Sequence, residues 1–165
     1  KMINPSLYLR AVNEKIGLNQ ETFFNEKTEL VKSHSTICEK GHPNNGIQIR
    51  ELGKMMEVWD TKPKLTIVDQ TIKDSVVKNE LIAALQSHNV YVIANFCGVV
   101  LGQGACGHIS PLVAYDAETD SVLLLDVNPG QRPWTWVKLS SIIEAMKTFD
   151  VVENRGYLII TDIPS

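Results

Sequence analysis

The stretch that decides the fold is Gly107-His108-Ile109-Ser110-Pro111-Leu112-Val113-Ala114-Tyr115, followed after a turn by Ser121-Val122-Leu123-Leu124-Leu125-Asp126-Val127. Two apolar runs of strand length flank Asp116-Ala117-Glu118-Thr119-Asp120, whose turn-forming residues predict a β-hairpin with a longer loop. His108 opens the first run and Asp126 closes the second. In an antiparallel pair the start of one strand lies beside the end of the next, so residues 18 apart in sequence meet at one end of the hairpin. An imidazole beside a carboxylate has its tautomer fixed and its charged form stabilised, which suits it to move protons. A strand-end histidine and a turn-starting acid are also common as structural residues. Two features favour a functional pair here. Gly102, Gly104 and Gly107 lead into His108 and let other backbone or a ligand come close, while Asp126 ends an apolar run, where a carboxylate needs a partner. The pair supplies a base and its orienter; the hairpin holds no nucleophile.

Outward from the hairpin, Val90 to Phe96 predicts a buried strand and Leu65 to Val68 another. Between them Thr71-Ile72-Lys73-Asp74 reads as a capping box opening a helix whose Val77, Leu81 and Leu85 face the core. Ile49, Leu52, Met55, Met56 and Trp59 are helix-spaced; such a stripe reads as core rather than as cofactor contact. Ser6 to Ile16 and Glu26 to Lys32 predict two further helices, with Phe23 and Phe24 anchoring the loop between them. After Asp126, Asn128 to Pro133 reads as a loop, Trp134 to Val137 as a short strand, Ser140 as the cap of a helix through Met146, and Tyr157 to Thr161 as the last strand. Helices first and then an antiparallel sheet of roughly four to six strands is an α+β organisation.

The chain of 165 residues reads as one domain with room for a hydrophobic core. Sixteen basic against nineteen acidic residues, net −3 and without long blocks of one sign, argue against nucleic acid or an anionic membrane as the partner. No apolar run approaches the about 18 residues of a membrane span, and no charged-then-apolar leader pattern is present. The start at Lys1-Met2 leaves room for a removed upstream segment. Cys38, Cys97 and Cys106 form no Cys-x-x-Cys pair and no disulfide framework, which fits a reducing, cytoplasmic setting. His34, Cys38 and His42 are spaced four apart, as metal ligands on a helix face would be, but Gly41, Pro43, Asn44 and Asn45 break any helix there; no metal site is expected.

Gly-His-Ile-Ser-Pro, Leu-Leu-Leu-Asp-Val, Trp136-Val137-Lys138 and Glu144-Ala145-Met146, in this order, resemble the phytochelatin synthase family in its shorter bacterial form. These are glutathione γ-glutamylcysteinyltransferases of the papain-like cysteine peptidase clan. The resemblance runs from about Phe23 to Thr161 and includes Phe24-Asn25-Glu26-Lys27-Thr28, Glu51-Leu52-Gly53, Gly102-Gln103 and Arg155-Gly156. It implies a papain-like α+β fold, N-terminal helices packed on an antiparallel sheet, in a single domain over residues 1–165. It also implies a triad in which His108 is the general base and Asp126 orients it, with Gly107, Ile109 and Arg132 among the substrate contacts.

The family's third member is a cysteine at a helix N-terminus upstream of the Phe-Phe segment, where dipole and imidazolium favour a thiolate, with an oxyanion-hole glutamine shortly before it. Residues 1–22 contain no cysteine, and Gln20 lies in the wrong place. Cys38, Cys97 and Cys106 do not match the nucleophile and read as structural. The expectation is a domain lacking the segment that carries the catalytic cysteine, either through truncation before residue 1, which the Lys1 start favours, or through loss of the nucleophile.

By resemblance, the chemistry is cleavage of the Cys–Gly amide of glutathione through a cysteine thioester, with transfer to a second glutathione or to water. The implied partners are glutathione and γ-Glu-Cys peptides, and a homodimer is compatible with the sequence. No tightly bound cofactor is implied: heavy-metal ions such as cadmium or zinc enter as glutathione thiolate complexes, that is, as substrate. Asn128-Pro129-Gly130-Gln131-Arg132-Pro133 replaces the family's aromatic and basic stretch after the aspartate, which predicts weaker acceptor binding and a bias toward hydrolysis. Two rival readings remain open: a catalytically dead domain that binds glutathione, peptide or a protein partner, and a peptidase acting on other peptides.

Overall fold

A computed structural model describes residues 23, 25–28, 47–59, 61–104, 106–127 and 133–161. Its elements are helix α1 (Ile49–Glu57), strand β1 (Lys64–Ile67), helix α2 (Asp74–Leu85), strand β2 (Val90–Cys97), a 3-10 turn (Gly98–Leu101), strands β3 (Cys106–Asp116), β4 (Ser121–Leu124) and β5 (Thr135–Lys138), helix α3 (Leu139–Met146) and strand β6 (Gly156–Thr161). The six strands form one antiparallel sheet in the order β1-β6-β2-β3-β4-β5. The α+β expectation and its strand positions hold. The expected helix over Ser6 to Ile16 lies outside the described residues, as does most of that over Glu26 to Lys32.

Alternation along the strands decides which face is covered. Val92, Ala94 and Phe96 of β2 and Leu112 of β3 point to one side, where Val77, Leu81 and Ala84 of α2 and Ile142, Ile143 and Met146 of α3 close over them. Leu85 packs partly buried against the same cluster. In α1, Ile49, Met55 and Trp59 just beyond it are buried, as their spacing predicts, and Phe23 stacks on the Trp59 ring with centroids 6.3 Å apart. Arg50 holds the helix to the turn before β6 through two parallel bonds of 2.7 Å to Glu153.

The helix starts differ from the sequence reading in an instructive way. Thr71 does not cap α2: its N–H and hydroxyl donate to Asp69 at 2.8 and 2.6 Å, and the helix opens at Asp74 behind Lys73. A short side chain that bonds two residues back makes its own turn instead of capping. Ser140 likewise lies inside α3, which begins at Leu139, a residue drawn into the core. A reciprocal cap lies at Asn25, whose Oδ1 accepts from the N–H groups of Lys27 and Thr28 at 2.9 and 3.2 Å while the Thr28 hydroxyl accepts from Asn25 N–H at 2.7 Å.

The cysteines require a correction: Cys97 and Cys106 are joined in a disulfide, with Cα atoms 4.1 Å apart. Nine residues of separation give no sequence signature, and only the strand register sets Cys97 opposite Cys106. The bond removes the sequence argument for a reducing compartment. No helix among the described residues is long and apolar enough to cross a membrane.

Glu80 of α2 ties the sheet to its cover. It accepts from the Tyr157 hydroxyl at 2.5 Å and pairs with Lys64. Partial burial raises the Glu80 pKa, but the bonds from Lys64 and Tyr157 outweigh it and leave the group below its ordinary value of 4.5. A carboxylate depressed in the folded state contributes stability above the unfolded-state pKa and loses it as pH falls through the folded value. Glu80→Gln is therefore expected to flatten the decline in stability below about pH 4.5 seen by urea titration, relative to the parent protein. An unchanged acid limb would place the acid sensitivity elsewhere.

Candidate active site

His108 owes its position to one extra residue. The β2–β3 register pairs Asn95 with Ile109 and Phe96 with His108, then jumps to Cys97 with Cys106, so Gly107 is the unpaired residue of a β-bulge. Its φ of +81° lies in the left-handed region, where a side chain would be strained. The bulge turns the strand at its first residues, and the Phe96 ring meets the imidazole edge-on with centroids 5.5 Å apart.

Asp126 arrives from the other side of the hairpin. β4 ends at Leu124, but Leu125 N–H still donates to Pro111 O at 3.0 Å, which keeps the chain beside β3 for one more step. His108 Nε2 then lies 2.8 Å from Asp126 Oδ2, with the aspartate side chain fully buried and that of histidine 16% exposed. Ser110, buried on the same face as His108, places its Oγ 3.0 Å from the same nitrogen. A carboxylate only accepts, so a neutral ring carries its proton on Nε2 and leaves Nδ1 as the basic atom. Among the described residues Nδ1 makes no hydrogen bond, so its lone pair is available to take a proton.

A second polar group gathers at this end of the sheet. Asn95 Nδ2 donates to Asp150 at 3.0 Å, and Arg155 reaches Asp150 at 2.9 Å, the Phe149 carbonyl at 2.6 Å and the Thr148 hydroxyl at 3.0 Å. Asn95 Oδ1, Arg155 Nε and Gln103 Oε1 are buried yet unpartnered among the described residues. A side chain at Gly107 would begin 3.7 Å from Arg155 Nη2, while Asn95, paired with Ile109, lies on the face of the sheet opposite His108.

The expected site residues are therefore brought together in part. His108, Asp126 and Gly107 converge. Ile109 pairs with Asn95 and lies on the face of β3 opposite His108 and Ser110, as alternation requires. Arg132 lies outside the described residues, and so do Cys38 and the His34–Cys38–His42 set. Among the described residues no group of three or more histidine, cysteine, aspartate or glutamate side chains is placed to hold a metal ion. The sequence reading missed the Asn95–Asp150–Arg155 group, whose signal is only a polar residue within a buried strand and an acid in a turn.

Residues 9–157 match the family model described as phytochelatin synthase. Glutathione gamma-glutamylcysteinyltransferase 3 of Lotus japonicus is 34% identical over 97 residues, 58% of this chain and 20% of that protein. Glutathione gamma-glutamylcysteinyltransferase 1 of Arabidopsis thaliana is 34% identical over 83 residues, 49% of this chain and 17% of its own length. The transferase of Schizosaccharomyces pombe is 29% identical over 101 residues, 58% of this chain and 24% of its own. The matched segment is thus about a fifth of each of these relatives.

Proposed function

Since the chain belongs to the phytochelatin synthase family, we propose that it forms the base-bearing part of a papain-like glutathione γ-glutamylcysteinyltransferase that works through a cysteine thioester. The observation that carries this reading is the 2.8 Å contact between His108 and a fully buried Asp126, which leaves Nδ1 for the chemistry. A cysteine thiolate attacks the Cys–Gly carbonyl of glutathione, and hydrogen-bond donors hold the oxyanion. His108, protonated on both nitrogens, gives the Nδ1 proton to the departing glycine amine, and a γ-Glu-Cys thioester remains. The amine of a second glutathione, or water, then loses its proton to His108 as it attacks the thioester and frees the thiolate. Asp126 holds the ring through both steps and balances the imidazolium.

Substrate carboxylates suit the end of the sheet where Arg155 lies beside Gly107, with Arg132 as a further contact; Ile109, on the face opposite His108, would contribute only from there. Cadmium or zinc enters as glutathione thiolate complexes acting as acceptor. The short Asn128–Pro133 segment favours water over a second glutathione, so hydrolysis exceeds chain extension; a transfer-to-hydrolysis ratio equal to that of a plant enzyme would refute that bias.

The nucleophile decides the reading. Cys97 and Cys106 are joined to each other, and their cross-strand pairing sets them on the face opposite His108, so neither serves in this state. The test is iodoacetamide labelling of the full gene product, with and without glutathione, read by mass spectrometry. One fast-labelling cysteine outside Cys38, Cys97 and Cys106, protected by glutathione, is expected. Labelling of Cys38 alone, with Cys97 and Cys106 held in their disulfide, would leave a glutathione- or peptide-binding domain without turnover.

Ser110→Ala is expected to lower kcat/KM for glycine release about tenfold while costing about 1 kcal/mol of stability, because the imidazole loses one of the two oxygens that fix it. A rate within twofold of the parent, with the stability loss present, would confine Ser110 to a packing role.

A further inference from the structure

The acyl-transfer reading makes no use of the Cys97–Cys106 bond, which lies directly beyond the bulge that aims His108. The two sulfur-bearing residues differ in access: Cys97 is 6% exposed at the end of β2, whereas Cys106, the first residue of β3, is exposed. Between them the chain makes a 3-10 turn with Val99 and Val100 facing solvent, and Gly102 ends it at a φ of +73° with no neighbour within 4 Å of its missing side chain. The disulfide ties the two ends of this segment, whose inner side packs through Leu101 against the core. One residue inside it, Phe96 carries the ring that meets the imidazole and Gly107 carries the bulge.

We propose that Cys97 and Cys106 form a reversible thiol-exchange site, entered at Cys106 by low-molecular-weight thiols of the glutathione class, whose state sets how firmly the Gly107 bulge holds His108. The chemistry follows from access. Exchange needs a thiolate to approach one sulfur along the S–S axis, and only the Cys106 end is open to solvent. The incoming thiolate bonds to Cys106 Sγ, the S–S bond breaks, and Cys97 leaves as a thiolate. A second thiolate attacks the outer sulfur of the mixed disulfide and releases Cys106 as a thiolate together with a small-molecule disulfide. Two electrons pass from the two small thiols to the protein pair, and the two protein thiolates take up protons from solvent. The reverse sequence, begun by a small-molecule disulfide, closes the pair again.

Opening the bond releases both ends of the 98–104 segment at once. The ladder then ends at Phe96 and His108 instead of being tied off one pair beyond them. Loss of that tie raises local opening around Gly107, because strand ends with few buried contacts fray first. The site thus couples the thiol pool to the order of the proton-shuttling group. It stands on the two sulfurs alone and does not depend on which reaction His108 serves.

The test is to equilibrate the full gene product in glutathione and glutathione disulfide buffers from fully reducing to tenfold excess disulfide, quench, and alkylate differentially. Mass spectrometry of the peptide carrying both residues is expected to show Cys97 and Cys106 passing together from joined to free within that range. Glutathione caught on Cys106, and its accumulation there in Cys97→Ser, is expected at intermediate ratios. Amide hydrogen exchange in residues 98–107 of the parent protein is expected to rise at least tenfold on reduction, with β6 unchanged. A pair that stays joined in the most reducing buffer, stays free in the most oxidising one, or captures glutathione on Cys97 overturns the proposal. Unchanged exchange in 98–107 overturns the link to His108. None of these readouts needs turnover, so a failure of the transferase reading would appear separately, in the labelling experiment above.

Discussion

His108→Ala in the full gene product is expected to lower glycine release from glutathione by about 10²–10⁴-fold, the range that a positioned acid–base group supplies. The imidazole faces a fully buried carboxylate and keeps Nδ1, a nitrogen able to accept a proton, without a hydrogen bond among the described residues. Asp126→Ala is expected to fall nearly as far, because the ring loses the acceptor that fixes its tautomer and position. Asp126→Asn is expected to fall less, since the amide oxygen can still accept from Nε2 while the charge is gone. A second readout separates chemistry from folding: if the thiolate is sustained by the imidazolium, its alkylation near neutral pH slows in His108→Ala while the circular dichroism spectrum holds. His108→Ala activity within twofold of the parent would make the pair structural and move the base elsewhere.

How far the site was legible follows from what each residue needs. His108 and Asp126 could be placed together from sequence because hairpin pairing is local, although an irregularity at Val113 shifts the β3–β4 register between them. Ser110 was visible only as part of a motif; two residues beyond His108 in a regularly paired strand, it shares the histidine's face and places its Oγ 3.0 Å from Nε2. The bulge at Gly107 hid the disulfide, because Cys97 and Cys106 pair only when the register slips. Ile109, a substrate contact by resemblance, follows His108 directly, and strand alternation sets it on the other face of β3. The Asn95–Asp150–Arg155 group was beyond reach, since it assembles residues 55 and 5 positions apart around a turn that carries no period. Misplaced helix caps have a different origin: Thr71 and Ser140 carry suitable side chains, but Asp69 claims the first and core burial of Leu139 starts the helix before the second.

Gly156→Ala is expected to cost about 3 kcal/mol or more, at the upper end of what overpacking a core costs. Gly156 opens β6 between two strands, paired with Ile67 on β1 and Asn95 on β2. Its φ is not left-handed, so room rather than backbone freedom requires glycine. A methyl group there would lie 2.0 Å from the Thr66 carbonyl oxygen and 2.9 Å from Ile67 Cα, both backbone atoms with no rotamer to yield. β1 would have to move away from β6, which breaks its four-residue ladder and strains the 2.8 Å bond from Val68 N–H to Arg155 O. Arg155 is displaced with it, so the polar group beside Gly107 loosens as well. In urea a loss of this size moves the midpoint down by about 1 M or more, with slopes of about 1–3 kcal/mol per M. Gly53→Ala is the control: its methyl would meet Leu158 Cδ2 at 3.2 Å, a side-chain tip that can turn aside, and alanine gains about 1 kcal/mol of helix propensity. A Gly156→Ala midpoint as close to the parent as that of Gly53→Ala would mean that edge strand β1 yields freely. Its ladder to β6 would then contribute little to the order of Arg155.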